Sequence, residues 1–252
     1  MKISRPSPAL VVAGIALFVS LGGTSMAAMS YADRAGSVDG KSAVYAGSSL
    51  SKAAGKLVTT QVGTLDEARR AEAAGVDFIV ARGREGGGHG RDEVGTLALL
   101  QIVLDRVDLP VVAAGGIATA AGLSAVLAAG AVGAWVGTAF LCCRESAFPA
   151  VSRERLLAAD DTATAYGRVF DVAQRAAWPP EYGGRALRNR FFDEWVGRED
   201  ELAANPDALD EYAAGRRRRD FDVAAVYAGQ GAALLRSETT AAEVVAAFFT
   251  EE

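Results

Sequence analysis

The chain has 252 residues, half of them apolar, with 26 basic and 31 acidic side chains and a formal charge of −5. That length allows one large domain or two modest ones with a sizeable core, and the acidic balance argues against nucleic acid as the main partner, since phosphate contacts need a basic face. The two cysteines, Cys142 and Cys143, are adjacent, which argues against a disulfide framework and leaves no Cys/His spacing for zinc; they read as small apolar residues at the start of a helix.

Lys2 and Arg5 precede an apolar run from Ala9 to Leu21, and the small residues Ser25, Ala27 and Ala28 follow. That order is the pattern of a secretory signal peptide, so residues 1–28 are expected to be a leader. The run is short for a bilayer, and no stable membrane span is expected. Residues 29–55 are rich in Ser, Gly, Ala and Lys without a sustained apolar period and read as a flexible linker.

From Lys56 short apolar runs alternate with helical stretches, the pattern of a parallel sheet with crossover helices. Lys56–Val62 reads as the first strand, and a helix follows from Thr64, where Thr64 and Glu67 form a capping box and Ala68, Ala71 and Ala74 the apolar face. Val76–Ala81 is the second strand and runs into the glycine-rich loop Gly83–Gly90. A helix over Leu97–Val107, a third strand over Pro110–Ala114, a helix over Thr119–Ala129 and a short fourth strand over Ala134–Val136 complete the series. Such unalternating strands belong to a sheet covered on both faces. From Ala139 to Glu252 helices and loops are expected, with no strand. The predicted fold is therefore α/β: a partial TIM-type (β/α) barrel of about four βα units over residues 56–140, then a helical C-terminal extension over 141–252. An open half-barrel exposes unpaired edges, and a homodimer is one way to cover them.

In β/α barrels the chemistry sits at the carboxyl ends of the strands. Gly115-Gly116-Ile117 ends the third strand and Gly137-Thr138 the fourth, each directly before a helix. Exposed amides at such places, with glycine permitting close approach, suit a phosphate group. The second strand ends in Glu85-Gly86-Gly87-Gly88-His89-Gly90, which holds the sole histidine of the chain. Histidine is the side chain best poised to move a proton near neutrality, and a glycine loop leaves its ring unshielded.

At these residues the sequence resembles a known family. VDFIVARGREGGGHG, then LPVVAAGGIATAAGLSAVLAAGAVGAWVGTAF, are similar to the FMN-dependent nitronate monooxygenases, and the resemblance runs from KLVTTQVGTLDEARRAEAAG through RALRNRFFDEW to VYAGQGAALL. It implies FMN as cofactor, and an alkyl nitronate and O2 as partners, converted to a carbonyl compound and nitrite. It implies that His89 abstracts an α-proton from a nitroalkane or positions the nitronate, that Gly87 lies against the flavin, that Gly116 donates to the FMN phosphate, and that Trp135, Val136, Gly137 and Thr138 complete the phosphate grip. Arg82 stands where the family usually has a flavin-contacting Gln, so it either favours an anionic reduced flavin or obstructs the ring; Gly86 stands for a usual Ala. The family's first four strands have no counterpart in residues 1–55, and an inactive or fused fragment is therefore an alternative expectation, as is another FMN-binding barrel enzyme such as an enoyl-reductase. The family implies a cytoplasmic address and the leader a secreted one.

Other features read as structural. Arg216 to Arg219 are flanked by acids and read as a solvated helix face. Trp178-Pro179-Pro180 reads as a loop that halts a helix, and Phe191, Phe192 and Trp195 as helix packing. Arg188 and Asn189 receive no role.

Overall fold

A computed structural model describes residues 57–249. The expected leader and the whole of the expected linker lie outside the described residues. Four parallel strands form the main sheet in the order β1 (Thr59–Val62), β2 (Phe78–Arg82), β4 (Val111–Ala114), β5 (Gly133–Trp135). Register is continuous across it: Val62 lies beside Ala81, Ala81 beside Ala113, and Ala114 beside Trp135. Among the described residues the sheet does not close into a barrel.

Its crossover helices are α1 (Leu65–Ala73), α2 (Thr96–Leu104) and α3 (Ala120–Ala128). Thr64 and Thr119 cap α1 and α3 by accepting from the amides of Glu67 and Gly122. The capping box expected at Thr64 is half formed, because Glu67 reaches back to the amide of Gly63, not to that of Thr64. Helix α2 starts at Gly95, which has no side chain to cap with, and Glu85 supplies the missing acceptor from the glycine loop by taking the Thr96 amide at 2.9 Å. One core joins this sheet to its helices through Ile79, Leu99, Leu100, Val103 and Val111, all fully buried.

The stretch after Ala139 is not helices and loops alone. Strands β6 (Thr164–Gly167) and β7 (Gly184–Leu187) pair antiparallel, and the two-residue β3 (Gly88–His89) adds to the other edge of β7. Around them lie α4 (Thr138–Leu141), α5 (Ala150–Leu157), α6 (Val169–Gln174), α7 (Arg190–Trp195), α8 (Glu199–Ala203), α9 (Pro206–Arg218), a 3-10 turn (Gln230–Leu234) and α10 (Ala241–Ala247). Phe170, Phe191, Phe192, Trp195 and Tyr212 form a second, aromatic core, as helix packing predicts. Asn189 gains a role there: its carbonyl oxygen accepts from the Phe192 amide, and its amide group donates to the carbonyls of Phe221 and Ala224. The cysteines are buried and free, but they sit at the end of α4, not at the start of a helix. No helix among the described residues is long and apolar enough to cross a membrane.

Candidate active site

The glycine loop leaves β2 and meets both later strand ends through one segment, Ala228–Gly231. The carbonyl of Glu85 accepts from the Gln230 amide at 2.9 Å, and the Thr138 hydroxyl accepts from the Gly229 amide at 3.0 Å. A Cβ on Gly231 would stand 3.6 Å from the Gly116 carbonyl, and one on Gly87 would strike the Gly229 nitrogen at 2.5 Å. The three features placed separately at strand ends thus share one small region. Thr96 ties it further, its hydroxyl lying 2.9 Å from a Glu85 carboxylate oxygen and 3.0 Å from the Gly115 carbonyl.

Gly115 and Gly116 have φ values of 101° and 72°, in the left-handed region that glycine enters freely. This turns the chain sharply at the end of β4 and leaves Gly116 exposed. Among the described residues, the amides of Gly116 and Gly137 make no hydrogen bond. Trp135 is half-buried on β5, and the Val136 side chain is buried in the sheet core, which leaves its backbone at the site.

Arg82 is buried, and its guanidinium is turned into the loop. One terminal nitrogen donates to the carbonyls of Gly86, Gly87 and Gly88 at 2.6, 3.1 and 3.0 Å. Burial foremost, and then Arg185, brings its pKa down to about 10, so it remains a cation at neutral pH. Arg185 is also buried; it reaches the Arg84 carbonyl at 2.7 Å and Asp92 at 2.7 Å, pinning the loop from the β7 side.

His89 lies on β3 opposite Gly184. Its Nε2 is 2.6 Å from Asp171 Oδ1, and the two side chains are 10% and 4% exposed. Trp178 stacks on the ring at 4.1 Å with the planes 9° apart, and Tyr227 stands tilted at 5.3 Å. The Tyr227 hydroxyl accepts from Gln174 and lies 3.5 Å from Asp171. Burial, with Asp171 adding, pushes the Tyr227 hydroxyl well above its usual range. Asp171, Trp178 and Tyr227 escape sequence reasoning. Trp178 is in a proline-punctuated loop, as expected, yet its ring covers the imidazole. The signal for Tyr227 lies in VYAGQGAALL, whose glycines fit it against the loop. Among the described residues no cluster of His, Cys, Asp and Glu is arranged to hold a metal.

Comparison with known proteins identifies the family. The nitronate monooxygenase family model matches residues 48–251. Nitronate monooxygenases of Paraburkholderia phytofirmans and Pseudomonas aeruginosa are 38% and 39% identical over 211 and 207 residues, 77% of this chain in each case. The chain spans about half the length of these relatives, 54% and 56%. A nitroalkane oxidase structure from Streptomyces ansochromogenes superposes with a TM-score of 0.66 at 36% identity, covering 78% of this chain and 57% of that one. FabK from Thermotoga maritima gives 0.66 at 30% identity, covering 79% and 61%. Strand-end glycines, a histidine loop and a matching family model over four-fifths of its length place the chain in the nitronate monooxygenase family.

Proposed function

We propose that the chain binds FMN and oxidises alkyl nitronates with O2 to a carbonyl compound and nitrite. The observation that carries this reading is the meeting of the His89 loop with two glycine-bearing strand ends on the segment Ala228–Gly231. The residues present fit the cofactor's phosphate. The amides of Gly116 and Gly137 are free to donate, and the Thr138 hydroxyl, which accepts from Gly229, keeps its own proton for an anionic oxygen. Gly87 offers exposed backbone for a flat ring, while a Cβ on Gly88 would meet nothing within 4 Å, so open space remains beside His89. Arg82 serves by holding three loop carbonyls in place.

When bound, FMN supplies the electron chemistry. The protein's own part is to seat the nitro compound against the glycine loop and to move or hold a proton at the imidazole of His89. Strands β1 and β5 each have a neighbour on one side only among the described residues, and a second copy covering these edges belongs to the same reading.

The test is a titration of the full chain with FMN, followed by oxygen uptake with propyl-2-nitronate. Resolved flavin bands on the protein and nitrite formation are expected, with His89→Ala lowering turnover of the parent 2-nitropropane, whose α-proton must be removed, by about 10²–10⁴-fold. Sedimentation of the same sample should report twice the chain mass. A protein that stays colourless in excess FMN sinks the reading, and consumption of NAD(P)H with an enoyl thioester in place of nitronate turnover would transfer it to an enoyl-reductase.

A further inference from the structure

His89 is held from two directions. Asp171 takes Nε2 edge-on at 2.6 Å, and Trp178 lies flat on the ring face. A ring fixed at its edge and on its face has neither rotation nor tilt left to it. Room for this arrangement comes from Gly184 across the ladder, where a Cβ would stand 3.4 Å from Nε2 and 2.7 Å from the Tyr227 ring.

Asp171 itself is arranged for one partner. It lies in the first turn of α6 and is buried. Among the described residues its only ion partner is His89, and its second oxygen is buried without a hydrogen bond. Gln174 donates to the Tyr227 hydroxyl, which leaves that hydroxyl's proton free to point at Asp171. A carboxylate accepts and does not donate, so the proton on the shared contact belongs to Nε2 of the ring. A neutral imidazole carries one proton, and its lone pair is then at Nδ1.

We propose that Asp171 is the positioning residue of this site. It keeps the proton of His89 on Nε2 and thereby makes Nδ1 the atom that takes a proton from the substrate. The inference rests on the reading of His89 as the proton-moving group. In the step itself the α-carbon proton of a nitroalkane passes to Nδ1 and the C–H electron pair stays with the nitro compound as the nitronate. The ring becomes an imidazolium whose charge is balanced by the Asp171 carboxylate, the same division of labour by which a buried carboxylate serves a catalytic histidine elsewhere.

The chain has a single histidine, so its tautomer can be read directly. The full chain, prepared without a polyhistidine tag and labelled with ¹⁵N-histidine, gives ring signals from His89 alone. At a pH where the ring is neutral, proton-coupled nitrogen at Nε2 and a lone-pair nitrogen at Nδ1 are expected. In Asp171→Val the Nδ1–H form should appear, and so should it in Asp171→Asn, whose amide nitrogen can donate to Nε2 where a carboxylate cannot. With a nitroalkane, Asp171→Val should lose about 10²–10⁴-fold in kcat with little change in KM. A wild-type proton on Nδ1 overturns the proposal without need of any variant, as does an unchanged tautomer in a folded Asp171→Val. If the tautomer behaves as stated but no nitro compound turns over, the positioning role stands and the proposed activity falls.

Discussion

At Arg82 and Gly86 the resemblance implies Gln and Ala instead, and the structure ties the two positions together. The guanidinium of Arg82 passes directly behind Gly86 to reach the loop carbonyls, so a Cβ at position 86 would lie 2.7 Å from its Nε. Arginine at 82 and alanine at 86 cannot both keep their places. Gly86→Ala should therefore cost about 1–3 kcal/mol, as overpacking does, and most of that loss should return in the double variant Arg82→Gln/Gly86→Ala. Chemical denaturation of the four proteins gives the coupling, expected on the order of 0.5–3 kcal/mol. Simple additivity would show that the contact does not govern either residue.

At the scale of elements, the βα units were legible because their signals are local. Thr64 and Thr119 cap where a threonine before an apolar period should, and each predicted strand overlaps the observed one. TAYG and GRAL gave no such signal. Each is four residues long with no alternation, and they become β6 and β7 only by pairing with each other and with Gly88 and His89. Asp171 was illegible for the same reason: in FDVAQ it reads as one polar residue of a short helix, and its partner lies 82 residues earlier. Helix α10, which no sequence motif above singled out, is held by a local contact, a capping box of Thr240 and Glu243 that seats Val244 on the sheet core. Hydrogen bonds from Thr239, then from the Thr240 amide and hydroxyl, hold the Glu243 carboxyl down to about 2, against an ordinary 4.5. A carboxyl depressed in the folded state adds stability above its unfolded value, and that contribution disappears as pH falls through the folded one. The Cα shifts of α10 should stay helical above about pH 4.5 and drift toward coil between there and about pH 2, and Glu243→Gln should abolish the dependence. Helical shifts persisting unchanged to pH 2 would refute the assignment.

On the scale of the whole molecule, the loop Gly83–Gly90 joins two sheets that have separate cores. Its first residues continue a strand of the parallel sheet, and its last pair with β7. The second attachment consists of two ladder residues, the Gly90 amide on the Gly183 carbonyl at 3.1 Å, the Tyr166 hydroxyl on the Gly90 carbonyl at 2.9 Å, and Arg185 on the Arg84 carbonyl at 2.7 Å. Opening there separates His89 from Asp171 without exposing the core around Ile79 and Leu100. Native-state hydrogen exchange should find the Gly90 amide opening at a free energy well below that of Ile79, whose amide is bonded to the Pro110 carbonyl within the sheet. Equal values would mean that the two halves unfold as one. The same 82-residue interval sets a delay during synthesis. At about 5–20 residues per second, Asp171 leaves the ribosome roughly 4–16 s after His89. Through that interval the nascent chain carries its imidazole uncovered, with neither the carboxylate nor the indole yet made, and a ribosome stalled short of position 171 would display the bare loop.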